Sequence, residues 1–338
     1  MKPAYLFYAA MLIVALVAPM LGIYPVYLMT LYCFAIFACA FNLLLGFGGM
    51  LSFGHAAYFG FAAYTTGWLV TAQGWSSLAA IGVGVVAATL MGLVIGLIAI
   101  RRSGIYFAMI TLALAQVVYF ICVQAPFTGG ENGLQGVPRG DLLGLSLRSD
   151  TVMYYFVLAM LVAVVLFIGR IVQSPFGQVL KAIRENEPRA ISLGYNVNRY
   201  KLLVFVLSSA LAGLAGSLKS LVLGFAALSD VLQATSGEVI LMTLLGGVGT
   251  FFGPILGAGI VITLQDLLSD KVGSWVTVII GAIFVVCVLA FRKGVVGELL
   301  AFIERKRQAK RVAVNAASGL PGTTTVTTST APHPSHPA

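Results

Sequence analysis

The sequence predicts an all-α polytopic membrane protein, and three observations predict it. Hydrophobic residues make up 59% of the 338-residue chain and charged residues only 9%, whereas a soluble domain carries roughly 25% charge. Apolar runs of about 20 residues recur along the chain, the length that crosses a hydrocarbon core. These runs are continuous and do not alternate with period two. They therefore favour helices over a closed barrel, the other structure that satisfies its own backbone hydrogen bonds in lipid. A mean hydropathy of +0.99 agrees.

The runs fall at about 6–21, 26–46, 52–72, 78–100, 105–123, 152–172, 202–223, 238–250, 253–269 and 274–291. They make about ten transmembrane or re-entrant helical segments, within a range of eight to ten. The first run follows a single charge, Lys2, has no convincing cleavage site and leads straight into a second run, so it reads as a retained helix and not a signal peptide. The run at 238–250 is shorter than the roughly 17 residues a span needs and reads as re-entrant or broken.

Charge placement orients this threading. Lys2, Arg101, Arg102, Arg170, the cations between Lys181 and Lys201, Arg292, Lys293 and the cluster from Arg305 to Arg311 fall on one side. The opposite loops hold Arg139, Arg148, Lys219 and Lys271, diluted by Glu131, Asp141, Asp150, Asp230 and Asp270. Positive residues stay in the cytoplasm, so both termini are expected there. The net charge of +9 thus has a topological cause, and no nucleic-acid partner is expected. The membrane domain is expected over 1–311, with an internal polar loop at 173–201 and an external one at 124–151. The Thr/Ser/Pro/Ala-rich stretch 312–338, which holds His333 and His336, reads as a disordered cytoplasmic tail. Cys33, Cys39, Cys122 and Cys287 all lie in apolar runs without CxxC spacing, so they read as small buried side chains and not as a metal site.

Within the internal loop, Val179, Leu180 and Ile183 recur at helical spacing. Pro188 interrupts, and Ala190, Ile191 and Leu193 resume the pattern before Gly194 stops it. The pattern gives two short amphipathic helices under the membrane, either an interfacial loop or a docking element for a cytoplasmic partner. The external TGGENGL at Thr128–Leu134 is a glycine-dense turn, either a plain loop or a surface for a soluble partner. Two glycine-rich interruptions, Leu43–Gly60 and Leu244–Gly259, allow close helix packing or unwound backbone. His55 is the one histidine outside the tail. As an ionisable residue in a span it is a pathway candidate, beside the plainer reading of a hydrogen bond to a neighbouring helix. Glu238 and Asp266 lie near segment ends, and no span has a central acid, which disfavours ion coupling. The sequence has no GxSxG, HExxH or GxxxxGK[ST], so neither catalysis nor ATP binding by this chain is expected.

Several blocks in order carry a resemblance over about 41–297. They are NLLLGFGGMLSFGHAAYFG from Asn42, RRSGIYFAMITLA from Arg101, TGGENGL from Thr128, the long block from Phe176 beginning FGQVLKAIRENEPRAISLGYN, LLGGVGTFFGPILGA from Leu244 and FRKGVVG from Phe291. The chain resembles the permease subunits of bacterial ABC importers for branched-chain amino acids, of the LivM type. The resemblance implies an ABC importer permease fold in the bacterial inner membrane. It also implies a second permease subunit, two cytoplasmic ATPase subunits that bind ATP, and a periplasmic or extracellular binding protein. Arg184, Glu185, Asn186, Glu187, Ala190 and Gly194 occupy the ATPase-coupling element by this resemblance. Asn42, Ser52 and His55 are the candidates for the translocation path, and Gly129, Gly130, Asn132 and Gly133 for the external contact. Leucine, isoleucine or valine is the expected substrate. The alternatives are a urea or short-chain amide importer and an ion-coupled secondary carrier.

Overall fold

The computed structural model describes residues 15–22, 24–142, 145–272 and the short stretches 278–279 and 281–282. The first apolar run is thus seen only from residue 15. Most of the last run, the basic flank and the tail expected over 312–338 lie outside the described residues.

Helix α1 (Pro25–Asn42) begins on a proline, whose missing N–H costs nothing at a first helical position, and continues as a π-helical turn over Leu43–Phe47. Then come α2 (His55–Ala72), α3 (Ser77–Ala99), α4 (Ile105–Gln124) and α5 (Asp150–Gln173). The short α6 (Pro175–Glu185) and α7 (Glu187–Ser192) follow, then α8 (Val197–Leu223), α9 (Gln233–Gly246) and α10 (Gly253–Val272). Among the described residues, five stretches are long and apolar enough to cross a membrane: Pro25–Phe47, Ser77–Ala99, Ile105–Gln124, Asp150–Gln173 and Val197–Leu223. The chain is a multi-pass membrane protein.

Small residues let α8 sit in the middle of the bundle, against α1, α2 and α3. On α3, Gly84, Ala88, Gly92 and Gly96 recur every fourth residue and make one smooth stripe. A Cβ on Gly92 would lie 1.9 Å from Ser209 Oγ, and one on Gly96 2.9 Å from Phe205 Cδ1. From the other side, a Cβ on Gly213 would meet Ala88 Cβ at 2.4 Å. Apolar side chains gain little from leaving lipid for each other, so close backbone approach of this kind supplies the packing. The opposite face of α3 (Val86, Leu90, Val94, Leu97) is exposed. Helix α1 is covered on all sides, with residues 35–41 all buried.

At the end of the bundle opposite α6 and α7, the α4–α5 connection is stitched to the α8–α9 connection. Strand β1 (Leu134–Gln135) pairs antiparallel with β4 (Phe225–Ala226), and β2 (Asp141–Leu142) forms a hairpin with β3 (Leu145–Ser146). Val137 N donates to Gly224 O at 2.8 Å, and Arg139 Nη2 to Val222 O at 2.8 Å while its Nη1 pairs with Asp150.

Three sequence expectations change. The run at 52–72 becomes helical only at His55, because the unwound stretch that begins at Gly48 and Gly49 (φ 69°) extends through Gly54. The run at 238–250 is shifted: α9 ends at Gly246, and Gly247 (φ 111°) and Gly249 (φ 76°) turn the chain into α10. Lys219 belongs to no external loop. It lies within α8, where its side chain is 8% exposed.

Candidate functional site

The two glycine-rich interruptions meet each other. A Cβ on Gly46, in the π-helical turn, would sit 2.6 Å from Gly249 N. Asn42, buried one turn earlier, uses that closeness. Its Oδ1 accepts from Gly249 N at 2.9 Å and its Nδ2 donates to Thr250 O at 2.9 Å. Both halves of the amide are thus engaged by the α9–α10 turn. Arg184, on the last turn of α6, reaches the same place and donates from Nη1 to Gly46 O.

Residues 48–54 then run unwound inside the bundle, which is tolerable in a membrane protein only where other groups satisfy the backbone. Neighbouring hydroxyls do so. Thr111 Oγ1 on α4 accepts from Phe53 N at 3.3 Å, Ser52 Oγ from Gly54 N at 3.3 Å, and Ser236 Oγ on α9 from Ala56 N at 2.9 Å. Ser52 is fully buried in this role.

His55 is also fully buried, with its Nε2 2.8 Å from Ser208 Oγ on α8. The Ser208 hydroxyl donates its own proton to Ala40 O at 2.5 Å, so it accepts from Nε2–H, and Nδ1 is without a hydrogen-bond partner. Phe37, Phe41, Tyr58 and Phe205 surround the imidazole. Each path candidate is thus bonded within the protein: Asn42 ties the end of α1 to the α9–α10 turn, Ser52 bonds the unwound segment, and His55 ties the start of α2 to α8. Ser208→Ala leaves a buried Nε2–H without its acceptor and is expected to cost about 1–3 kcal/mol. Thermal unfolding of the purified protein checks this, and an unchanged midpoint would show that the bond contributes nothing net.

The internal loop folds as two short helices, and the first of them buries the apolar face its periodicity implies. Ser174 Oγ caps α6 by accepting from Gly177 N at 3.4 Å, and Leu180 and Ile183 face inward. Asn186 caps α7, with Oδ1 accepting from Arg189 N at 3.0 Å, and Gly194 (φ 85°) closes the pair in a left-handed conformation. Glu187 binds Lys201 on α8 at 2.7 Å, and Ala190 is buried against Ile183 and Val197. Of the six coupling candidates, Arg184, Glu185, Asn186 and Gly194 are exposed. The apolar repeat groups Ile191 and Leu193 with Ala190, but these two and Tyr195 stand exposed at 58%, 69% and 40%. Periodicity over so short a helix does not define a face, and reading them as exposed needed the fold.

At the other end, Gly129, Gly130 and Gly133 all have φ between 61° and 77°, in two tight turns. Gly133 is buried, and a Cβ there would meet Ala226 O at 2.5 Å, so it seats β1 against β4. Gly129 and Asn132 are exposed and Gly130 is half-buried.

One pair escapes sequence reasoning altogether. Lys219 Nζ pairs with Asp230 Oδ1, and the two side chains are 8% and 5% exposed. The Lys219 ammonium also lies 5.9 Å from the Phe59 ring and 5.7 Å from the Phe225 ring. A signal was available in Lys219 itself, a cation inside an apolar run.

A family model described as "Branched-chain amino acid transport system / permease component" matches residues 23–288. The chain is 31% identical over 220 residues to the high-affinity branched-chain amino acid transport system permease protein LivM of Escherichia coli (strain K12), covering 58% of this chain and 51% of that one. It is 29% identical over 192 residues to the probable branched-chain amino acid transport permease protein LivM of Methanocaldococcus jannaschii, covering 55% of each. It is 34% identical over 139 residues to the xylose transport system permease protein XylH of Haemophilus influenzae, covering 39% of this chain and 36% of that one. The chain spans about half the length of the LivM relatives it matches. No solved structure matches it. With the match extending from the start of α1 past the end of α10, the chain belongs to the family of branched-chain amino acid transport system permease components.

Proposed function

We propose that this chain is the membrane-spanning permease subunit of an ABC importer, forming with a second permease the translocation path for branched-chain amino acids. Two separate subunits bind and hydrolyse ATP on the side of α6 and α7, which is cytoplasmic, as are both termini. A soluble binding protein delivers substrate to the opposite end, at Gly129, Gly130 and Asn132. The chain itself binds no cofactor. The family match over 23–288, with its LivM relatives, carries this reading.

The exposed Ile191, Leu193 and Tyr195 support it, because apolar side chains standing out on a loop that also exposes Glu185 and Arg189 suit a protein contact of apolar and charged residues. Glu187 is a poorer docking candidate than its neighbours, since Lys201 already holds it.

The test is uptake by the complete complex in vesicles, comparing labelled leucine with urea and xylose. ATP-dependent leucine uptake is expected. Urea uptake alone would replace the substrate, and uptake that needs no ATP and collapses with an ion gradient would point to a secondary carrier. Ile191→Ser with Leu193→Ser is expected to reduce co-purification of the ATPase subunits by about ten-fold or more, a loss of at least ~1.4 kcal/mol. Undiminished co-purification would place the docking surface elsewhere.

A further inference from the structure

We propose that Arg184 is the positioning residue through which movement of α6 reaches the two broken segments inside the membrane. The inference rests on the transport reading above and assigns Arg184 an inward-facing role beyond its place on the ATPase-facing surface.

The argument begins with the carbonyls that a helix end leaves free. At the end of α1, Gly48 N takes Leu43 O at 3.3 Å, Met50 N takes Leu44 O at 3.2 Å and Gly49 N takes Leu45 O at 3.1 Å. Gly46 O is bound by the Arg184 guanidinium, from a residue 138 positions away. A cation here also meets the negative end of the helix dipole. The turn it holds is π-helical, a rare geometry frequently found at functional sites.

Two glycines make room for the side chain. A Cβ on Gly49 would lie 2.9 Å from Arg184 Cγ, and one on Gly249 would lie 3.2 Å from Arg184 Nη1. Both glycines have positive φ, 69° and 76°, a conformation other residues rarely adopt. Arg184 therefore runs between the end of α1 and the α9–α10 turn, which Asn42 ties together directly. One guanidinium thus bonds the π-helical turn to α6 and lies against the α9–α10 turn.

The connection continues beyond the node. The π-helical turn runs straight into residues 48–54, whose end is held by Thr111 on α4, Ser236 on α9 and, through His55, Ser208 on α8. A displacement of α6 relative to the bundle must break the Arg184 bond or carry this unwound segment with it. Interiors this closely packed shift between discrete arrangements instead of yielding gradually.

The experiment compares the complete complex, in vesicles, carrying the parent chain, Arg184→Gln or Arg184→Lys. It measures leucine moved per ATP hydrolysed, ATPase subunits co-purified, and amide hydrogen exchange. Arg184→Gln is expected to lower leucine moved per ATP by about ten-fold, within the ordinary range of coupling energies, with co-purification undiminished. Exchange should rise at 46–54 and 247–252 and stay unchanged in α3. Arg184→Lys should recover part of the ratio, because it keeps a cationic donor within reach of Gly46 O. An unchanged ratio with raised exchange would overturn the proposal and leave Arg184 a local staple. Loss of co-purification would overturn it in favour of a docking role. A parent complex that moves no leucine would instead overturn the transport reading, and the coupling role with it.

Discussion

Replacing Lys219 with Met strands the Asp230 carboxylate in the protein interior, and the variant is expected to lose about 3–5 kcal/mol of stability. The magnitude follows from burial. With side chains only 8% and 5% exposed, neither charge can be solvated by water when the other is removed. The loss should be local in origin. Asp230 Oδ2 also accepts from Ala227 N at 3.4 Å, and Gly60 on α2 lies against the Asp230–Val231 backbone, so the unpaired acid loosens the return segment where it docks on α2. Lys219→Met combined with Asp230→Leu removes both charges and should recover most of the loss, because a buried pair adds little over an apolar pair of similar volume. Thermal unfolding of the three variants decides the matter. If the double variant is as damaged as the single one, the stability of this region comes from something other than charge pairing.

The second large effect is expected from Gly216→Ala and Gly257→Ala. A Cβ on Gly216 would fall 1.8 Å from Phe59 O on α2, and one on Gly257 would fall 1.8 Å from Met242 O on α9. The obstacle in both cases is a backbone oxygen in a neighbouring helix, which cannot rotate away as a side chain can. Each substitution must push two helices apart, at a cost at the upper end of the roughly 1–3 kcal/mol seen for overpacking or beyond it. Gly259, two residues further along α10, has nothing within 4 Å of its would-be Cβ. Gly259→Ala should therefore be neutral or stabilising by up to about 1 kcal/mol, since alanine is the better helix former. Equal shifts in unfolding midpoint for Gly257→Ala and Gly259→Ala would show that helix propensity, and not contact, governs these positions.

Several parts of the fold were legible in the sequence because each depends on a single segment. The runs at 78–100, 105–123 and 152–172 became α3, α4 and α5 with ends shifted by one or two residues. The two short helices α6 and α7 were readable from Leu180, Ile183, Ala190 and the stop at Gly194, but Ile191 and Leu193, read into the same apolar pattern, stand exposed. The candidate site was legible in part. Asn42, Ser52 and His55 were picked from one block as path candidates, and the structure shows each hydrogen-bonded within the protein to partners the sequence did not reveal. Ser236 and Ser208 carry no signal until packing brings them near, and the glycine-rich stretch that holds Gly249 and Thr250 does not reveal that it meets Asn42. Lys219 was misplaced for a related reason: a charge near the end of an apolar run reads as a loop residue unless a buried partner is known to be waiting for it.

By itself, the sequence determined that the chain lives in lipid, roughly where its helices run and which family's motifs it carries. These are properties of composition and of local order, because a hydrophobic stretch of helical length must satisfy its own backbone and so declares itself. Only the tertiary structure decided how the scarce polar groups are paired. Lys219 and Asp230 are 11 residues apart, Arg184 and Gly46 are 138 apart, and Asn42 and Gly249 are 207 apart. Hydropathy and periodicity describe one helix at a time. A buried hydrogen bond between helices needs both partners placed to within a few tenths of an ångström, and that placement comes from glycine and serine contacts no single segment contains.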